Sequence, residues 1–424
     1  MDVLGEKECV SVLRQALGRE DFHLERYSVE PASESPIGFM ARHLNLVATV
    51  RVEGATRDVR FFVKCPPTSG PHLTYVEEMQ HFEKELEMYE TVIPKMSDKL
   101  PHPFRLPIPR CYLTRGKLII LEDLKEKGYR LWDRMVPFDL DHCRSLMTSL
   151  ARFHAPSFLL QIEATTMVEG NGETVSSAGG IFRVARDRLL TGSGGEMGRR
   201  WEKSSVDTMT TAIVGFWPER FGKKGKEVEG RLWEAWGELR ELSKPSEKHT
   251  NVLCHGDLWA NNVMFRGEGA DGPDDAVLVD LQLVRFAPPI TDILLFLHTS
   301  TTATFRAEHS VDLLRTYHDR LREIVGGATL DQLMPLGCLL DVMEEYGLFG
   351  KLVSAIWLSF ILNSEKVVPM LEEGGSAGEP PDFVSKILKD RGDEVLLNAQ
   401  ASEVYRGRVM ESYRECLEHL GLWK

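Results

Sequence analysis

Three oxygen-bearing residues stand out by type and spacing. Asp257 and Asn262 lie five residues apart in CHGDLWANNVMF (254–265), and Asp280 ends the apolar run AVLVD (276–280). A loop carboxylate can orient and deprotonate a hydroxyl. An asparagine and a second carboxylate supply the hard oxygen ligands that hold Mg²⁺ against phosphates. Each residue alone has a plain alternative: Asp257 could cap a turn, Asn262 could bond to the backbone, and Asp280 could simply end a strand. Their joint spacing favours phosphoryl transfer.

Such chemistry with ATP also needs a strand lysine at the α/β-phosphates and a helix glutamate to hold that lysine. Lys64 ends FFVK, where a strand pattern stops. Phe82, Glu85, Leu86, Tyr89 and Ile93 recur at the i, i+3, i+4, i+7 spacing of one helix face. Glu85 thus falls in an apolar stripe, where an unpaired carboxylate is costly. Lys64 is its expected partner. In the alternative, Glu85 flanks the stripe and reaches water.

The elements that must position these residues follow from periodicity. LVATVRVEGATRDVRFFVK (46–64) alternates as two strands around a turn at Gly54–Asp58, VEEMQHFEKELEMYETVI (76–93) reads as a helix, and KLIILEDL (117–124) reads as a short strand. Residues 139–155 and most of 203–243 carry helical periodicity, and 168–180, 192–198 and 372–382 read as loops. The expected architecture is α+β and bilobal: a small β-rich lobe over 1–124 and a larger, mainly helical lobe over 125–424.

Other patterns fail on context. GEGADG (267–272) fits a dinucleotide template, but it leads through Pro273 into a strand, so a hairpin turn is expected. GGSAG (374–378) has no strand before Ser376 and is not a nucleophile elbow. There is neither a P-loop nor the H-E-x-x-H spacing of zinc peptidases. The formal charge of −13 argues against a nucleic-acid surface. The seven cysteines are scattered without a CxxC pair. With no leader-like N-terminus and no membrane-length apolar run, a reduced cytoplasmic protein is expected. The oligomeric state is left open.

HGDLWANN followed by VDLQLVRFAPPITDI resembles the ecdysteroid kinase-like family. That family belongs with the choline kinase and aminoglycoside phosphotransferase group and shares the protein-kinase fold. H-G-D-x-x-x-x-N with the two later aspartates carries the wider likeness. The L-W-x-N-N form, D-x-Q and FEKELEMY carry the narrower one, and ILEDL (120–124) and LARFHA (150–155) add to it. The resemblance covers about residues 30 to 320. It implies Asp257 as catalytic base in a loop shaped by His255 and Gly256, Asn262 and Asp280 on Mg²⁺, and a Lys64–Glu85 pair on ATP. It also implies backbone at Glu122, Asp123 and Leu124 receiving adenine. Asp292 would tie the catalytic loop to the next helix, unless it merely caps that helix. The phosphate-covering loop would fall in PASESPIGFMARH (31–43), which departs from the usual pattern in having one glycine, Gly38.

The implied substrate is a small-molecule hydroxyl on an ecdysteroid, another steroid or a xenobiotic. Met343, Tyr346, Phe349, Trp357 and Phe360 in 336–362 could line an apolar pocket, although aromatics at helical spacing are more often core. A choline- or aminoglycoside-type acceptor would need carboxylates, for which Glu344 and Glu345 are the local candidates. A pseudokinase is opposed by the complete residue set. A polypeptide substrate is opposed by the short stretch between Asp280 and FAPPITDI. Trp259 and Asn261 have no role assigned by this reading.

Overall fold

The computed structural model describes residues 4–32, 41–67, 70–171, 182–267, 272–363, 384 and 387–424. Gly38, most of the 31–43 loop and GGSAG lie outside the described residues, as does the 372–382 stretch.

Five antiparallel strands form the N-terminal sheet: β1 (His23–Pro31), β2 (Arg42–Val52), β3 (Ala55–Cys65), β4 (Cys111–Arg115) and β5 (Leu118–Glu122), in the order β1-β2-β3-β5-β4. The β2–β3 turn is tighter than the sequence pattern suggests. Glu53 and Gly54 both have positive φ, and pairing resumes at Ala55. Two successive left-handed residues suit the twist of a two-residue hairpin.

The period of two along each strand decides what each face holds. Leu44, Leu46, Ala48, Val50, Phe61, Val63, Leu118 and Ile120 pack with Cys9, Val12 and Leu13 of helix α1 (Glu6–Leu17). Ile119, Leu121 and Phe62 belong to the opposite face and join the main core with the helices. Lys64 has the parity of Phe62 and pairs across the ladder with His43 and Ile119. A charged residue is therefore turned into the junction between sheet and helices.

The expected helix over 76–93 is broken. Helix α2 (Gly70–Met79) ends at Gln80, whose φ is 56°, and α3 (His81–Glu87) restarts beyond it. A π turn at Met88–Val92 then leads into α4 (Ile93–Ser97). Its extra residue rotates the stripe, so Met88 and Val92 are fully buried while Ile93 is only half-buried.

The remainder is mainly helical. The long helix α5 (Leu140–Asn171) packs on Ala303–Val325, and the apolar helix Gly347–Ile361 lies between Ile290–Ser300 and Glu403–His419. The run 192–198 is a loop only as far as Gly194, because helix Gly195–Phe216 begins there. Short strands hold the polar loop: Val252–Cys254 pairs with Arg285–Ala287, and Val263–Arg266 pairs antiparallel with Asp275–Leu278. GEGADG thus joins two hairpin strands, as its context implied. No described helix is long and apolar enough to cross a membrane.

Leu46 is fully buried between the sheet and α1. Leu46→Ala is expected to lower unfolding free energy by about 2–5 kcal/mol, read from urea denaturation midpoints.

Candidate active site

Lys64 Nζ lies 2.5 Å from Glu85 Oε2 and 2.7 Å from Asp280 Oδ1, so one buried ammonium joins β3, α3 and the end of strand Asp275–Leu278. Burial works against the lysine charge, but the two carboxylates outweigh it and hold its pKa above the ordinary value. Burial also opposes the Asp280 charge, and Lys64 overrides it to keep that carboxyl ionised below its usual range. Glu85, the more deeply buried partner, is pushed upward by desolvation. Its other oxygen accepts from Leu281 N–H at 3.3 Å. Asp280 has φ 70° and ψ 76°, a left-handed conformation that costs a non-glycine residue about 1–3 kcal/mol. The Lys64 contact holds it there.

Asp257 is buried, and different elements hold its two carboxylate oxygens. Asn262 Nδ2 donates to Oδ2 at 2.9 Å and to the Asp257 carbonyl at 2.8 Å, while Trp357 Nε1 donates to Oδ1 at 3.1 Å. Burial and then the Asp280 charge push the Asp257 carboxyl above its ordinary pKa, partly offset by the Trp357 and Asn262 donors. A raised pKa makes a carboxylate a stronger proton acceptor.

His255 shapes this loop. Its Nδ1 accepts from Asp257 N–H at 3.3 Å, so Nε2 carries the hydrogen and donates to the Val279 carbonyl at 2.9 Å. Gly256 has φ 81°, and a Cβ there would sit 2.0 Å from the Leu283 carbonyl oxygen. Only glycine fits. Asp292 accepts from His255 N–H at 2.5 Å and Gly256 N–H at 2.9 Å, and His154 Nε2 lies 3.2 Å from Oδ2. It ties the loop to helix Ile290–Ser300 rather than capping that helix. His154, Cys254 and Asp292 each place a potential ligand atom within 4.8 Å of the others. Both Asp292 oxygens already serve backbone donors, and burial keeps the Cys254 thiol protonated. The trio is a hydrogen-bonded brace.

At Glu122–Leu124 the side chains serve their own turn. Glu122 pairs with Lys127, and Asp123 Oδ1 accepts from Lys125 N–H at 2.9 Å. The Leu124 carbonyl accepts from Lys127 and Tyr129, whereas the Leu124 N–H has no partner among the described residues. That N–H is the donor a purine could use. Of the 336–362 aromatics, Tyr346 and Phe349 are core, Phe360 lies under Arg391, and Trp357 reaches Asp257. Glu344 and Glu345 are exposed, with Glu345 paired to Lys248 and His249. The Trp259 carbonyl accepts from Asn262 N–H at 2.9 Å, while its ring packs at the core edge.

Lys84, next to Glu85, was not foreseen. Its Nζ donates to the Arg186 carbonyl at 2.8 Å and reaches the Val284 carbonyl at 3.4 Å.

A strand lysine held by a helix glutamate, facing an Asp–Asn–Asp set, places the chain in the class of kinase-like phosphotransferases. The ecdysteroid kinase-like family profile matches residues 38–328, more than half of the chain, and the chain belongs to that family of small-molecule kinases. Among solved structures it is similar to an ethanolamine kinase of Plasmodium vivax, with 10% identity, 96% of this chain and 87% of that chain covered, and a TM-score of 0.42. It is also similar to a choline kinase of Cryptosporidium parvum Iowa II, with 12% identity, 99% and 98% covered, and a TM-score of 0.45. Likeness at this level does not bear on the substrate. Comparison with curated proteins gave no match.

Glu85→Ala leaves Lys64 buried with one carboxylate instead of two and should cost about 3 kcal/mol of stability, measured by urea unfolding. Burial depresses the Lys84 pKa from 10.5 to about 8. Between those values the unfolded chain binds more protons, so this group makes stability rise with pH across that window. Lys84→Met should flatten the rise, read by comparing unfolding at pH 8 and pH 10.

Proposed function

We propose that this protein transfers the γ-phosphoryl group of ATP to the hydroxyl of a small, largely apolar molecule of the ecdysteroid or xenobiotic kind. The observation that carries this reading is the Lys64 ammonium bound to Glu85 and Asp280 together, alongside Asp257 held by Asn262. Asp257 would take the acceptor proton, Lys64 would meet the phosphates, and the Leu124 N–H would meet the adenine.

The donor set fits Mg²⁺. Asn262 uses its amide nitrogen on Asp257, which leaves Oδ1 for a cation, and Asp280 commits one oxygen to Lys64. All-oxygen donors with one carboxylate suit that ion, which would neutralise phosphate charge when bound. In this reading Asn262 and Asp280 hold it.

Two features support a small acceptor without a positive charge. Only residues 281–289 separate Asp280 from the helix beginning at Ile290, which leaves little platform for a polypeptide. Glu345 is committed to Lys248 and His249, so it does not support a choline- or aminoglycoside-type site.

Mass spectrometry after incubation with Mg²⁺-ATP and a panel of ecdysteroids, plant glycosides, choline, ethanolamine and aminoglycosides tests the acceptor class. Phosphorylation confined to the cationic amines would overturn it, and no phosphorylation or ATP turnover would favour a pseudokinase. Asp257→Ala should lower turnover by about 10²- to 10⁴-fold with nucleotide affinity retained. Asp280→Ala should weaken nucleotide binding in Mg²⁺ but not in EDTA, by calorimetry. Parent affinity that ignores Mg²⁺ would remove the metal assignment.

A further inference from the structure

Trp357 lies 100 residues beyond Asp257, on the helix Gly347–Ile361, yet its indole N–H meets Asp257 Oδ1 at 3.1 Å. The indole is 7% exposed. Trp201 packs edge-on against it, with ring centroids 5.6 Å apart and planes at 83°. Trp201 packs in turn on Trp236 at 5.4 Å and 65°. Three tryptophans from three helices therefore run from the helical core to the proposed base.

Packing alone does not explain this contact. Trp236 is as deeply buried, and its indole nitrogen has no hydrogen-bond partner among the described residues. Burial in this core therefore does not by itself bring an indole N–H to a carboxylate. Trp357 instead donates to the loop carboxylate. A carboxylate turns easily about its terminal torsion, which has a broad energy well. Donors on its two oxygens from separate elements, Asn262 in the loop and Trp357 on the helix, fix its plane. Each oxygen still keeps a lone pair for a proton.

We propose that Trp357 is a positioning residue for phosphoryl transfer: its indole N–H, braced by Trp201, sets the plane of Asp257 toward the incoming hydroxyl. This rests on the phosphotransferase reading. In the step, the acceptor oxygen bonds to the γ-phosphorus while the bond to the β,γ-bridging oxygen breaks. That electron pair leaves with ADP, and the hydroxyl proton passes to the free lone pair of Asp257. A turned carboxylate would meet the hydroxyl off line, and misplacement on the ångström scale slows such steps strongly.

The test uses phosphate release from Mg²⁺-ATP with water as acceptor, so no natural substrate is needed. Trp357→Phe keeps a ring against Trp201 but removes the donor. It should lower kcat by about 10- to 100-fold while KM for ATP and the melting temperature stay near the parent's. Trp357→His, which returns a ring N–H, should recover part of the loss. Activity of Trp357→Phe within twofold of the parent overturns the proposal, as do equal losses in both variants, which would assign the effect to packing. Hydrogen exchange of the ¹⁵N-labelled indole gives a readout independent of turnover: slow in the parent, faster in Asp257→Ala. A parent with a protected indole that neither releases phosphate with water nor phosphorylates any acceptor of the panel overturns the phosphotransferase reading itself. An active parent with an unaffected Trp357→Phe overturns the Trp357 role alone.

Discussion

The Lys64 ammonium is removed from water and held between two carboxylates from distant parts of the chain. Desolvating such a charge costs several kcal/mol, and one carboxylate at the protein's effective dielectric barely repays it. Two do. The pairing therefore works only when β3, α3 and Asp280, two residues beyond strand Asp275–Leu278, are all in place. The sheet and the helical part meet through a contact that tolerates little displacement. Asp280 accepts a left-handed backbone as part of the same arrangement.

A second constraint acts on the polar loop from below. Asp292 binds two consecutive backbone N–H groups, and His154 and Tyr317 extend that network into α5 and the helix Ala303–Val325. Gly256 lets the loop pass against Leu283 where no side chain would fit. The costly polar cluster in CHGDLWANNVMF is thus held by Asp292, the Val279 carbonyl and Trp357 as well as by its own members.

Much of this was legible because violations would be expensive. Glu85 within an apolar stripe demanded a cation, and Lys64 at the end of FFVK was the expected one. The division into a β-rich part and a mainly helical part followed from the shift between alternating and helical periods, while its kinase-like character came from the resemblance carried by HGDLWANN and the later aspartates. Trp357 was harder to read, because GLFGKLVSAIWLSFI is apolar nearly all round and offers no face that singles out one residue. Its partner lies across the fold, and local spacing carries no trace of it. Strand β1 was missed since HLERYSVEP lies at the sheet edge, with charged residues blurring the alternation. The break at Gln80 carries neither glycine nor proline.

Lys84 and Glu85 are neighbours in α3, and each fastens that helix to the body by a different bond. One ammonium grips two main-chain carbonyls, and one carboxylate grips an ammonium. Displacing α3 from both the sheet and the backbone at Arg186 and Val284 would break both and leave the Lys84 and Glu85 charges without these partners. The helix therefore behaves as a fixture rather than a lever. Rotating it out of this arrangement would be energetically steep.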